Sequence, residues 1–342
     1  ISFGHIQKSI NSFLSWFRQL FSLYFEIGKT LKKILVINIV IFFALILFIE
    51  CIFGYWFKEN NFGIYMRSER NRSDLFNVTQ NDKKYTFYYK RNFYAFRGDE
   101  FDPLDVEVVF EGGSSGNERF IPEEYTIIGN LNKYFKKDNS EIFIYNASTD
   151  GKTTRGYVND FLYWFPKIPN FNPKFFIFYI GLNDRQFQFE HYDFKFASTS
   201  SNKLRDYIKN NSFFYRRYMK IKKKYFPKDT SGYFFNNEKL YDNFTYTSYN
   251  QAKNFKREIS EEDNKLLIQL DKRLLVLKNI VKSNNLIPIF ITQVAYDGLR
   301  DQKLFLVNER LKKFSIHNNY HLIKLDEIIE MELDDFYDTA HT

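Results

Sequence analysis

Residues 106–117 read VEVVFEGGSSGN, a β-branched and aromatic run that stops at two glycines and two serines. A run this short and this apolar suits a strand buried on both faces. Gly112-Gly113 allows a tight strand-to-helix turn with Ser114 at its crest. The arrangement recurs downstream. Ile142–Tyr145 (IFIY) leads into Asn146-Ala147-Ser148-Thr149-Asp150-Gly151, and Phe175–Ile180 (FFIFYI) leads into Gly181-Leu182-Asn183-Asp184. Ile287–Val294 (IPIFITQV) and His321–Leu325 (HLIKL) extend the series. Amphipathic stretches near 122–137, 153–165, 264–284 and 300–316 separate these runs. Strand–helix alternation predicts a doubly wound α/β domain with a mostly parallel sheet.

Upstream lies Ile34–Phe57, ILVINIVIFFALILFIECIFGYWF, whose one charge is Glu50. About 20 apolar residues span a bilayer core, so this stretch predicts a transmembrane anchor. Tyr55 and Trp56 suit its interface. Residues 6–31 are apolar but broken by Arg18 and Glu26, and predict an interfacial helix within an N-terminal segment, 1–33. Basic residues flank the anchor on both sides, so charge alone leaves its orientation open. Glu50 is placed either against a partner helix or at the headgroup level. Residues 58–104 read as a linker with one or two short aromatic strands over 85–96, before Arg97-Gly98. The α/β domain takes 105–342, with a polar and aromatic insertion at about 185–262. Within that insertion, Arg216-Arg217 and Lys220–Lys228 (KIKKKYFPK) form a basic run. It is either a solvated helix face or a contact for anionic headgroups or an acidic glycan.

Composition narrows the function. The 342 residues are 44% hydrophobic and 26% charged, which is globular and not disordered. A single cysteine, Cys51, excludes an intrachain disulfide framework and cysteine-ligated clusters. Five histidines leave little for a His-rich metal site, so neither metal nor cofactor is expected. The net charge of +8 permits an anionic partner, but no nucleic-acid motif accompanies it.

Ligands in open α/β sheets gather beyond the carboxyl ends of the strands. There the sequence offers Ser114, the turns Asn146–Gly151 and Gly181–Asp184, and near the C-terminus Asp338-Thr339-Ala340-His341. Only His341 of the five histidines has a carboxylate three residues before it. Together these residues supply the nucleophile, base, base-orienter and oxyanion donors of serine acyl transfer. Asp184 and Gln293, also at strand ends, are candidates for substrate contact.

This order of blocks resembles the SGNH (GDSL-type) hydrolase family. Gly112-Gly113-Ser114 matches its first block, Gly151 its second-block glycine, Gly181–Asp184 its GxND block, and Asp338 with His341 its last. The resemblance covers about residues 85–342. Arg97-Gly98 and PNFNPKFFIFYIGLND look like the membrane-anchored bacterial branch, which writes its first block Gly-Gly-Ser. Two departures stand out: Gly113 replaces the usual Asp, and the chain ends one residue after His341, where members continue into a further helix. With Ile1 in place of Met, a fragment truncated at the C-terminal end is expected.

The resemblance implies a flavodoxin-like SGNH fold. It implies Ser114 as nucleophile, His341 as base, Asp338 as its orienter, and Ser114, Gly151 and Asn183 as the oxyanion hole. It implies a single-pass protein of the inner membrane, with its catalytic domain periplasmic or extracellular. The substrate would be an acylated glycan or a lipid-linked polymer. Two alternatives stay open: an O-acyltransferase with the same triad, fed by a membrane partner protein, and a non-catalytic glycan-binding or scaffold module.

Overall fold

In the computed structural model, which describes residues 3–57, 65–66, 69–80, 83–185, 207–209, 211–225, 233–235 and 245–331, the five apolar runs form one parallel sheet. Helix α1 is Phe3–Phe53, and strands β1 and β2 are Arg72–Gln80 and Lys83–Arg91. Strand β3 is Val108–Glu111, α2 is Ser114–Asn117 and α3 is Ile127–Lys137. Then follow β4 (Ile144–Asn146), α4 (Thr154–Tyr163) and β5 (Phe175–Tyr179). After β6 (Tyr233–Phe235) come β7 (Ile287–Ile291) and β8 (His321–Ile323). The sheet order is β4-β3-β5-β7-β8, with every pair parallel. Counted along the chain this is the 2-1-3-4-5 order of doubly wound folds.

The central strands β3 and β5 are largely apolar because both of their faces are covered. Phe176, Phe178 and Phe290 point to one face, against Tyr157, Trp164 and a leucine ridge. That ridge is Leu266, Leu270, Leu274, Leu277 and Val281, at helical spacing along helix Glu261–Ser283. Ile177 and Tyr179 point the other way, with Val108, Phe110 and Ile144, toward Ile128 of α3. Each fully buried side chain of this size contributes about 1.5–3 kcal/mol. Ser260 and Asp263 close a capping box at the start of helix Glu261–Ser283.

Within the stretch read as a linker, two nine-residue strands form a hairpin. Strands β1 and β2 pair antiparallel over their whole length, and β6, from the predicted insertion, adds to β1 in parallel. Leaving β2, the chain turns on the Asn92 side chain, which accepts from Tyr94 N and Phe96 N (3.0 and 2.9 Å). Arg97 then pairs antiparallel with Asn146, so this turn meets the sheet at the β4 edge.

The chain divides into two units, residues 1–58 with 211–217 and residues 59–210 with 218–342. In the first, the stretches read as an interfacial helix and an anchor lie on one 51-residue helix, α1, from Phe3 to Phe53. Its segment Lys32–Phe53, 22 residues long, is long and apolar enough to cross a membrane. At 1.5 Å per residue it reaches about 33 Å, close to a hydrocarbon core of about 30 Å. The helix stops four residues before the predicted Phe57, where Gly54 N closes onto Glu50 O.

Candidate active site

The reversal point of the sheet lies between β3 and β5, and ligands of such folds bind beyond the carboxyl ends there. Strand β3 delivers Glu111-Gly112-Gly113-Ser114 to this point, and β5 delivers Gly181-Leu182-Asn183-Asp184. The two exits touch. A Cβ at residue 113 would lie 2.1 Å from Asn183 Nδ2, so the Asn183 amide stands where a side chain at 113 would be. Ser114 opens α2 half-buried, while Ser115, Gly116 and Asn117 behind it are buried. The first N–H groups of a helix lack intrahelical partners, and that of Ser114 is the foremost.

Asn183 is oriented by one contact, Nδ2 to Lys152 O at 2.9 Å. A primary amide carries two N–H donors, so one remains after this bond. Lys152 belongs to the loop after β4, which also holds Gly151. Gly151 has φ +74°, a left-handed conformation that glycine adopts without strain. Thr149 N donates to Gly112 O and Ala147 N to Phe110 O (3.2 and 2.8 Å), tying this loop to the exit of β3.

Beneath the turn lies a network of buried charge. Lys152 Nζ donates to Glu111 Oε2 (3.1 Å), to Ala147 O (3.0 Å) and, in a short contact, to Asp160 Oδ2. Tyr65 donates to the other Asp160 oxygen at 2.6 Å. Burial pushes the Glu111 carboxyl well above its usual range, Asp160 adds to the push, and Lys152 opposes it. Burial by itself would lower Lys152, but Asp160 and then Glu111 outweigh it and hold the ammonium charged. Two carboxylates around one ammonium balance when Glu111 carries a proton and Asp160 does not. The network is then neutral, and it ties β3, the loop after β4 and α4 into one support.

A second support grips α2 from behind. Arg97, 5% exposed, donates to the carbonyls of Asn117, Glu118 (2.7 Å) and Ile121 (2.6 Å) and pairs with Glu123 (2.6 Å). Arg91 donates to Asn117 Oδ1 (3.0 Å) and Ser148 O (2.8 Å), and Asn117 Nδ2 donates to Asp150 (2.6 Å). Asn146 Nδ2 reaches Gly116 O at 2.8 Å. The carbonyls of Gly116, Asn117 and Glu118 thus each meet a side-chain donor. Sequence reasoning noticed Arg97 only as part of a family pattern. It missed Arg91, Lys152 and Glu111, because a buried charge has no signature until its partners are placed.

Asp184 and Gln293 are both buried, and their bonds run to the chain itself. Asp184 accepts from Thr154 N (2.9 Å) and Thr154 Oγ1 (2.6 Å), holding the start of α4. Gln293 accepts from Leu182 N (2.5 Å) and donates to Tyr179 O (3.1 Å). Both thereby shape the Gly181–Asp184 turn that presents Asn183. Asp338 and His341 lie outside the described residues. Among the described residues, no group of three or more His, Cys, Asp or Glu is arranged to hold a metal ion.

No family model and no curated protein matches the chain. Solved structures similar to it include the psychrotrophic esterase EstA from Pseudoalteromonas sp., at 12% identity over 64% of this chain and 75% of that one, with a TM-score of 0.34. AlinE4, described as an SGNH-hydrolase family esterase, is similar at 10% identity over 64% and 75% of the two chains, with a TM-score of 0.35. The acetyl xylan esterase AlAXEase is similar at 14% identity over 65% and 78%, with a TM-score of 0.35.

Proposed function

We propose that the protein is a membrane-anchored serine ester hydrolase acting on an acylated substrate, an O-acylated glycan or a lipid-linked polymer. The observation that supports this most is the Asn183 amide standing against Gly113, beside a half-buried Ser114, at the reversal point of the sheet. In this reading Ser114 Oγ attacks the ester carbonyl and passes its proton to His341, which Asp338 orients. The tetrahedral oxyanion is met by the N–H groups of Ser114 and Gly151 and by the second Asn183 N–H, and one such donor is worth about 10²–10³ in turnover. His341 returns the proton to the leaving alcohol, and water then releases the acyl group from Ser114 by the same route. The segment Lys32–Phe53 serves as the anchor in a bacterial inner membrane, with the α/β unit on the periplasmic or outer side.

The test is hydrolysis of p-nitrophenyl acetate by the full chain in detergent micelles, beside Ser114→Ala and His341→Ala. Turnover that disappears in both variants supports the reading. Equal turnover in all three proteins refutes it, and turnover only with an added alcohol acceptor redirects it to acyl transfer.

A further inference from the structure

The end of the apolar helix holds the start of another helix. Glu50 accepts from Ser212 Oγ (2.5 Å), Phe213 N (2.8 Å), Phe214 N (3.1 Å) and Trp56 Nε1 (3.0 Å). Its carboxylate thus satisfies the leading N–H groups of helix Phe213–Tyr225, which a helix cannot satisfy itself. Arg216 strengthens the joint. Its guanidinium lies 3.4 Å from the centre of the Tyr55 ring and donates to Phe53 O at 2.8 Å. The single acidic residue of the apolar stretch is thereby explained: it caps a helix.

That helix turns an apolar stripe outward. Phe214, Tyr218, Ile221 and Tyr225 fall at spacings of four, three and four, one face of a helix, and are 40%, 57%, 55% and 65% exposed. Arg217 and Lys222, both exposed, flank the stripe on opposite sides at about 100° per residue. The sequence adds Lys220, Lys223 and Lys224 to the same helix. A soluble domain would bury such a stripe against its core. An aromatic and aliphatic stripe bordered by cations is the pattern of a helix lying in a membrane interface. Basic side chains beside it favour anionic headgroups.

We infer that helix Phe213–Tyr225 is an interfacial foot, which lays Phe214, Tyr218, Ile221 and Tyr225 into an anionic lipid surface at the end of the anchor. The inference rests on the anchor reading of Lys32–Phe53, because the Glu50 joint holds the start of the foot at the end of that segment.

The test uses the full chain with Cys51→Ser, reconstituted in phosphatidylcholine vesicles with and without phosphatidylglycerol. Single cysteines at Leu45→Cys, Tyr218→Cys and Ile221→Cys carry an environment-sensitive nitrobenzoxadiazole label. The expected result at 218 and 221 is blue-shifted emission, quenching by spin-labelled lipid and shielding from aqueous iodide. All three grow with phosphatidylglycerol and shrink in Arg217→Glu with Lys222→Glu. Quenching by spin-labelled lipid at 45, with free iodide access at 218 and 221, would overturn the foot and leave the anchor standing. Responses at 218 and 221 that ignore phosphatidylglycerol and both charge reversals would overturn the anionic-lipid assignment. A label at 45 that spin-labelled lipid does not quench would overturn the anchor and the foot together.

Discussion

At Gly113 the Asn183 amide occupies the space a side chain would take, and the consequence is measurable. Gly113→Ala must push the amide off its line, so it is predicted to cost catalysis about as much as Asn183→Ala. Loss of one oxyanion donor lowers kcat by about 10²–10³ with little change in KM. Parallel kinetics of the two variants check this. The buried charges make an opposite pair of predictions. Lys152→Met strands Asp160 inside the protein and should destabilise by about 3–5 kcal/mol, read from the urea midpoint. Burial pushes the Glu111 carboxyl toward its neutral form, so Glu111→Gln, uncharged and of similar shape, should cost under about 1 kcal/mol. Glu118 gives a pH test. Burial raises its carboxyl to about 8, above an unfolded value near 4.5. The folded state therefore holds a proton that the unfolded state releases. That contribution is full below about 4.5 and is lost as pH rises through about 8. Its slope reaches at most about 1.4 kcal/mol per pH unit, and Glu118→Gln should flatten it in pH-dependent melting.

Among the elements, some were legible in the sequence and others were not, for physical reasons. Strands β3, β5 and β7 announced themselves because two-sided burial leaves no polar alternation, and FFIFYI has only one reading. Strand β1 did not. Among the described side chains of RSDLFNVTQ, Phe76 and Val78 are buried, on one face, and its partner β6 lies far away in sequence. The start of the foot helix was equally hidden, since Glu50 and Phe213 are joined by a hydrogen bond across 163 positions. Residues 85–96 read as short aromatic strands before Arg97-Gly98, and nothing in that reading showed that Arg97 holds three carbonyls behind the turn that carries Ser114. Lysine offers a point charge in place of a planar fork, so Arg97→Lys should lower the melting temperature and slow labelling of Ser114 by an active-site probe. An unchanged labelling rate would remove Arg97 from the support of α2.

At the scale of the molecule, the sheet order makes the site. Placing β3 beside both β4 and β5 brings three strand exits to one point, and the residues at those exits were readable because the sequence repeats the same strand-then-turn grammar. What the grammar could not show is how the exits are held together, since Lys152, Arg91 and Arg97 act through space. The central claim is that Ser114 is a nucleophile served by this point. Its most direct measurement is intact and peptide mass spectrometry of the full chain after exposure to a fluorophosphonate. The account predicts a single phosphonyl adduct on Ser114, none on the buried Ser115, and none anywhere in Ser114→Ala. A folded protein that stays unlabelled, or that carries its adduct on another residue, would contradict it.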